Sequence, residues 1–221
     1  MSELLEKIEL CIEFGKINNA AVYPPNMRGQ DGADELTKQA LEAGVDPGDV
    51  LNKALIPGMD KVGQKFSENK IFVPQMLMSA KAMNEAMKHI QPFFQSGAVK
   101  QKGTFIIGTV AGDLHDIGKN LVAMMIEGSG WKVIDLGVDV KSEQYIEALK
   151  ENPHGTIGLS ALLTTTMVNM EKIVEDIKAF SIDAKVLIGG APLSNDFCEN
   201  IGADFYSPDP QGAVAYLNSL V

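Results

Sequence analysis

Cysteine is nearly absent from this 221-residue sequence: Cys11 and Cys198 are the only two, and no ligand-like spacing joins them. That excludes a disulfide scaffold and a thiolate metal centre, and implies free thiols in a reducing compartment. Positive charge is also in short supply. Nineteen Lys and Arg stand against twenty-nine Asp and Glu, for a net charge of -10 with no basic stripe, which excludes a nucleic-acid or polyanion binder. The acidic residues are scattered, not gathered into a tail. No apolar run approaches the roughly twenty residues that span a bilayer. The N-terminus carries Glu3, Glu6 and Glu9 and lacks a basic segment followed by an apolar one, so no secretion signal is expected. A soluble, cytoplasmic protein is the expectation, with no membrane partner. What is present is a 45% hydrophobic complement, enough to bury one large core or two small ones.

The pattern changes near residue 100. Before it, Leu4, Leu5, Ile8 and Ile12 recur at helical spacing, and Pro24-Pro25 interrupts them. A second helix is expected from Asp31 or Asp34 to Ala43-Gly44. Asp46-Pro47 supplies an N-cap and first helical residue for a third, which Pro57 should kink or break. Phe72-Val73-Pro74-Gln75 opens a further helix whose Met76, Ala80, Met83, Met87 and Ile90 form one apolar stripe, with a stop near Gln91-Pro92. Residues 1–92 therefore read as a helical bundle, and 93–102, with Gly97 and two Lys, as a linker. From 103 to 221 strands and helices alternate. Strands are expected at 104–108, 132–135, 156–160, 185–188 and 205–207, and helices at 118–128, 142–150, 168–180, 195–201 and 210–220. This is a flavodoxin-like (Rossmann-like) α/β domain with a five-stranded parallel sheet of order 2-1-3-4-5. His89 and His154 look incidental.

The loop after the first strand, Gly108-Thr109-Val110-Ala111-Gly112-Asp113-Leu114-His115-Asp116-Ile117-Gly118, leaves the sheet at the edge where open α/β folds hold ligands. Two readings stand open on local spacing. In one, the glycines permit a tight turn, Asp113 or Asp116 caps the helix, and His115 is merely exposed. In the other, His115 is a metal ligand whose imidazole Asp113 orients. The later loops are equally double. Ser160 and the run Thr164 to Thr166 suit a strand end and helix cap as well as a binding role. Gly189-Gly190 suits an ordinary left-handed turn as well as close approach to a ligand. The methionine stripe suits core filling.

Asp113-x-His115-x-x-Gly118 resembles the signature of cobalamin-binding domains of the methionine synthase and methyltransferase corrinoid-protein type. The segments from Gly158 to Met167 and Ile188-Gly189-Gly190-Ala191-Pro192 resemble that family's second and third motifs, in order. The chain is most similar to the small corrinoid proteins serving methanol, methylamines, methoxyaromatics and betaines. The resemblance implies a cobalamin with His115 on cobalt in place of the cofactor's own base, and the displaced nucleotide tail buried in the domain. It implies a binding set of Asp113, His115, Asp116, Ile117 and Gly118 in the first loop and Ser160, Leu162, Thr164 and Thr166 in the second. Gly189, Gly190 and Ala191 follow in the third, with Tyr206 closing the tail's pocket. It makes the bundle a cap, with Phe72 and then Met76 as its contacts. It implies a methyl carrier working with a substrate-specific methyltransferase, a methylcorrinoid:acceptor methyltransferase acting on tetrahydrofolate or a thiol, and a reductive activase. The chain has no length for a methyl-donor barrel, so a carrier that is not catalytic alone is expected. The rivals are the small subunit of an adenosylcobalamin-dependent mutase and a cobalamin-sensing regulator. Asp113→Asn is expected to be milder than His115→Ala, because it keeps the side chain's shape.

Overall fold

A computed structural model describes residues 2–95 and 99–221; Met1 and part of the expected linker, Gly97 included, lie outside the described residues. The chain divides into two compact units, Met1–Gln101 with Gly128–Gly130, and Lys102–Glu127 with Trp131–Val221.

The first unit is all helical. Its elements are α1 (Ser2–Phe14), a 3-10 turn (Pro25–Met27), α2 (Ala33–Glu42), α3 (Pro47–Val50), a π turn (Leu51–Leu55), α4 (Ile56–Ser67) and α5 (Val73–Gln95). Each starts or bends where the local chemistry requires. The Glu35 carboxylate accepts from Gly32 N at 2.9 Å at the start of α2, and Asp46 accepts from Gly48 N at 2.8 Å and Asp49 N at 3.2 Å at the start of α3. Of the kink or break expected at Pro57, the break does not occur, since α4 runs on through it. The proline has no N–H, and its ring clashes with the carbonyl four residues back, so the turn before it widens: Ile56 N bonds Leu51 O. At the head of α5 the Gln75 side chain accepts from Phe72 N at 3.1 Å, one half of a capping box, and Gln75 N donates to Phe72 O at 3.0 Å in a turn around Pro74. The helix runs past the expected stop and holds Pro92 within it. Met76, Ala80, Met83 and Ile90 are buried, as are Ile8 and Ile12 of α1 and Met59 and Val62 of α4. His89 is not incidental: its Nε2 lies 2.6 Å from Asp34 Oδ1 and ties α5 to α2.

The second unit is a five-stranded sheet, β1 (Thr104–Thr109), β2 (Lys132–Asp135), β3 (Thr156–Ser160), β4 (Val186–Gly189) and β5 (Phe205–Ser207). The order is β2-β1-β3-β4-β5 and every pairing is parallel. Its helices are α6 (Ile117–Gly128), α7 (Ser142–Glu151), α8 (Thr164–Met167), α9 (Asn169–Phe180), α10 (Asn195–Asn200) and α11 (Pro210–Asn218). Consecutive residues of β1 (Phe105, Ile106, Ile107) and of β4 (Val186, Leu187, Ile188) are all buried, as a sheet covered on both faces requires. Tyr145 and Leu149 of α7 and Ile173, Val174 and Ile177 of α9 belong to one core cluster with Ile106, Ile157 and Val186. Register sets up the site: Thr109 pairs Ser160, Ser160 pairs Gly189, and Gly189 pairs Ser207, one row across the sheet's carboxyl edge. All three sequence motifs therefore leave the sheet side by side.

Candidate functional site

Asp113 is the fixed point of that edge. Its side chain is 0% exposed, whereas that of His115, two residues on, is 51% exposed. Five donors converge on the carboxylate. Oδ1 accepts from His115 N at 3.0 Å and lies 2.7 Å from His115 Nδ1. Oδ2 accepts from Thr166 Oγ1 at 2.6 Å, Leu162 N at 2.8 Å and Leu163 N at 3.4 Å. Burial by itself would raise this carboxyl's pKa, but the hydrogen bonds from Thr166, Leu162 and His115 outweigh it and hold the group well below the ordinary carboxylate range. Asp113 is thus an anion that only accepts, so His115 Nδ1 carries a proton toward it, and in the neutral imidazole of that tautomer Nε2 is the nitrogen with the lone pair.

Asp113 consequently does not cap α6, as the local reading allowed; its oxygens face His115 and the loop after β3 instead. The same bonds account for α8, which the sequence pattern missed. The Thr166 hydroxyl reaches both Asp113 and Leu163 O (3.1 Å), and the helical turn Thr164–Met167 forms around it before α9 begins. Thr166 is buried, and Thr164 is exposed. Beyond Asp113 the loop turns outward: Leu114 and Ile117 are each 72% exposed, and Asp116 and Gly118 are exposed beside them. Leu162, Leu163 and Val168 add further exposed apolar side chains.

The glycines separate into two kinds. A Cβ on Gly190 would lie 1.8 Å from Ala161 O, and its φ is +142°, so the protein's own backbone demands glycine there. Gly118 meets nothing within 4 Å and has no left-handed φ, although glycine in a helix costs roughly 0.5–1 kcal/mol relative to alanine. Gly189 sees only Ser207 O, at 3.5 Å. In the register row Gly189 neighbours Ser160, which is half-buried, and Tyr206 precedes Ser207 on β5; Ala191 is exposed just beyond. Glycines that the protein does not need, beside a half-exposed imidazole and an apolar rim, leave room for a large ligand. Among the described residues no group of three or more His, Cys, Asp or Glu could hold a bare ion. A lone imidazole donor suits a metal whose other positions its own macrocycle fills. In the first unit, Phe72 is 62% exposed and Met76 is 1% exposed, inside the bundle core.

Several residues around the loop went unremarked in the sequence. Thr109 Oγ1 donates to His115 O at 2.8 Å, and Asn169 Nδ2 donates to Ala111 O at 2.7 Å. Lys119, 3% exposed, pairs with Asp135, whose other oxygen accepts from Gly137 N at 2.8 Å. Asp139 Oδ1 accepts from Gly112 N at 2.7 Å. For Asp139 the available signal was position: it lies just past the end of β2 on the motif-bearing edge, whereas Lys119 sits in the first turn of α6.

Residues 103–215 match a family described as B12 binding domain, and residues 29–91 match a second family of the same description. The trimethylamine corrinoid protein of Methanosarcina barkeri is 41% identical over 193 residues, which cover 86% of this chain and 89% of that one. The chain belongs to the B12-binding corrinoid proteins of methyltransferase systems. A corrinoid protein of Desulfitobacterium hafniense is 36% identical over 197 residues, 87% of this chain and 91% of that one. Among solved structures, a chain of the methanol:cobalamin methyltransferase complex MtaBC from Methanosarcina barkeri matches with a TM-score of 0.82 and 30% identity, over 99% of this chain and 79% of that one. The cofactor of this corrinoid protein is accordingly cobalamin, and its fold is a helical part joined to a Rossmann-like B12-binding part. No helix among the described residues is long and apolar enough to cross a membrane.

Proposed function

We propose that this corrinoid protein is a methyl carrier that binds cobalamin base-off with His115 as the protein ligand to cobalt. In this reading it takes a methyl group from a substrate-specific methyltransferase. It yields that group to a methylcorrinoid:acceptor methyltransferase acting on tetrahydrofolate or a thiol, and a reductive activase restores it after oxidation. The observation that carries the reading is the Asp113–His115 pair: a buried carboxylate 2.7 Å from Nδ1, with the imidazole half-exposed. When bound, the cofactor supplies the cobalt on which a methyl group rides. The protein's part is to aim the imidazole, through Asp113 and Thr166, and to seat the ring of the cofactor against Leu114, Asp116, Ile117 and Gly118. Ser160, Leu162, Thr164, Gly189, Gly190, Ala191 and Tyr206 are assigned to the loops that receive the nucleotide tail. Gly190 contributes there by letting the loops after β3 and β4 approach, not by vacating space for the ligand.

Relatives named for trimethylamine, and one structure named for methanol, make a methyltransferase for a small methylated amine or alcohol the first partner to test. Phe72, exposed at the head of α5, is the bundle residue assigned to shielding the reduced cofactor. Met76 is assigned to support of that helix from within the core. The decisive experiment loads the protein with cobalamin and records the Co(II) electron spin resonance with and without nitrogen-15 histidine. Hyperfine splitting that changes with the isotope supports the assignment; splitting indifferent to it refutes His115 as ligand. Stoichiometric methylation with a cognate methyltransferase, and none without one, tests the carrier role. Carbon-skeleton rearrangement with adenosylcobalamin and a partner subunit would overturn it.

A further inference from the structure

The bonds from Thr166 and Leu162 hold the Asp113 side chain, but they do not hold the peptide that carries it. The peptide is held by its own turn, with Asp113 N donating to Val110 O at 3.1 Å, by Asn169 on Ala111 O and Thr109 on His115 O, and by the segment after β2. That segment runs beside the end of β1: Leu136 N donates to Ile107 O at 2.8 Å, Thr109 N to Gly137 O at 2.9 Å, and Val140 N to Thr109 O at 2.9 Å. Between Gly137 and Val140 it bulges toward the His loop, and Asp139 stands at the tip with φ +55°, a left-handed conformation that Asp and Asn tolerate better than other side chains do. In that conformation Asp139 grips two successive residues of the loop. Its Oδ1 accepts from Gly112 N at 2.7 Å, and its own N–H donates to Asp113 O at 3.1 Å. Gly112 is itself left-handed, with φ +79°, a conformation that glycine adopts freely but does not prefer, so contacts from elsewhere select it.

We propose that Asp139 is a positioning residue for the cobalt-ligand loop. Its carboxylate and N–H clamp the Gly112-Asp113 segment so that the two oxygens of Asp113 meet His115 and Thr166 at once. The proposal rests on His115 being the ligand, and it extends that reading to a residue that touches neither the imidazole nor Asp113's carboxylate in any contact described above. Asp139 is solvent-exposed, so its carboxylate adds little to the core, and the melting temperature of each variant checks that the fold is kept. The two components of the clamp are separable by substitution. Asp139→Asn keeps an acceptor oxygen and the tolerance for left-handed φ. Asp139→Gly keeps the backbone freedom and loses the acceptor. Asp139→Ala loses both.

The test uses the full chain, first without corrinoid. Amide exchange at Gly112 and the low-field proton of the His115 Nδ1–H···Asp113 bond are followed by nuclear magnetic resonance, with the melting temperature as a check on folding. A hydrogen bond to a charged acceptor corresponds to roughly a tenfold or larger equilibrium factor. Gly112 exchange should therefore rise about tenfold or more in the Gly and Ala variants, and the Nδ1 proton should broaden or vanish. The Asn variant should restore both. The same variants are then loaded with cobalamin and the nitrogen-15 histidine splitting of Co(II) is recorded: Gly and Ala should show a reduced histidine-ligated fraction, Asn a native one. Native Gly112 protection and a native Nδ1 proton in the Gly and Ala variants would overturn the clamp. So would a loss of both in the Asn variant equal to that in Ala. An isotope-insensitive spectrum in the unsubstituted protein would instead refute His115 as ligand, and the corrinoid-free arms would still report on the clamp, so the two failures are distinguishable.

Discussion

Replacing Asp113 by Asn looks conservative, yet the structure makes it one of the more damaging exchanges available in the second unit. Both carboxylate oxygens are engaged, and an amide has one. If the amide oxygen stays toward His115, the NH2 faces Leu162 N, which in the native protein lies 2.8 Å from Oδ2. Thr166 can adapt by donating to Leu163 O, 3.1 Å away, and accepting from the amide, but the Leu162 N–H cannot turn. The Leu162 peptide donor is stranded, at about 1–3 kcal/mol, the longer Leu163 bond (3.4 Å) is lost with it, and the surviving bonds lose their charge assistance, for a total of about 3 kcal/mol. If the amide instead turns its oxygen to Leu162 and Thr166, the NH2 abuts His115 N–H and donates to Nδ1. The imidazole then carries its proton on Nε2, the nitrogen that has to be free. Trp131 is the only tryptophan, buried in the second unit, so its fluorescence reports that unit's unfolding in urea. With a slope of about 2 kcal/mol per molar, the midpoint should fall by roughly 1.5 M. Thr166→Val, which removes one donor and leaves the Leu162 and Leu163 amides in place, should cost less, about 1–2 kcal/mol. An Asn variant within about 0.5 kcal/mol of the native protein would refute the two-oxygen argument.

Gly118→Ala should leave the corrinoid-free protein as stable or up to about 1 kcal/mol more so, while weakening cobalamin binding in a titration. Gly190→Ala, which drives a methyl group onto Ala161 O, should destabilise the protein before any ligand is added, a contrast that urea midpoints will show. Burial pushes the Cys11 thiol up to about 11 and raises that of Cys198 too, so Ellman's reagent at pH 8 should find no reactive thiol in the native protein and two after unfolding. Burial alone would raise the Asp204 carboxyl, but Lys178 (2.7 Å), Lys185 (2.9 Å) and Val186 N (2.9 Å) lower it on balance. Because the folded protein binds that proton less readily than the unfolded chain, its contribution is full at neutral pH and is lost as pH falls below the ordinary aspartate range. The stability gap between the native protein and Asp204→Asn should therefore shrink between pH 7 and pH 3. Phe72→Ala should speed oxidation of the reduced, cobalamin-loaded protein in air, measured by absorbance, without changing its urea midpoint appreciably, since the ring is 62% exposed.

Much of the fold is legible in the sequence because the interactions that define elements are local. Helical spacing along Met76, Ala80, Met83 and Ile90, the Asp46-Pro47 cap and the β-branched runs at the sheet all act within a few residues, and element bounds agree to within a few positions. The loop Asp113-x-His115-x-x-Gly118 is likewise conspicuous, because acid, imidazole and glycine lie within one turn of chain. What those residues do to one another is decided elsewhere. Asp113 meets Leu162 and Thr166 only because β1 and β3 pair in the register that sets Thr109 opposite Ser160. Local spacing offered the carboxylate a helix cap and the two His115 donors; long-range pairing gave it the other three, Leu162 N, Leu163 N and the Thr166 hydroxyl. Gly190 carries the same lesson, since its need for glycine comes from a carbonyl at Ala161, in the loop of the neighbouring strand. Asp139 is the extreme case: only its place just past β2 marks it in the sequence, and its partners Gly112 and Asp113 reach it across the β1–β2 pairing. Propensity and periodicity select the elements, whereas the hydrogen bonds that aim the imidazole depend on strand register, which only the assembled sheet supplies.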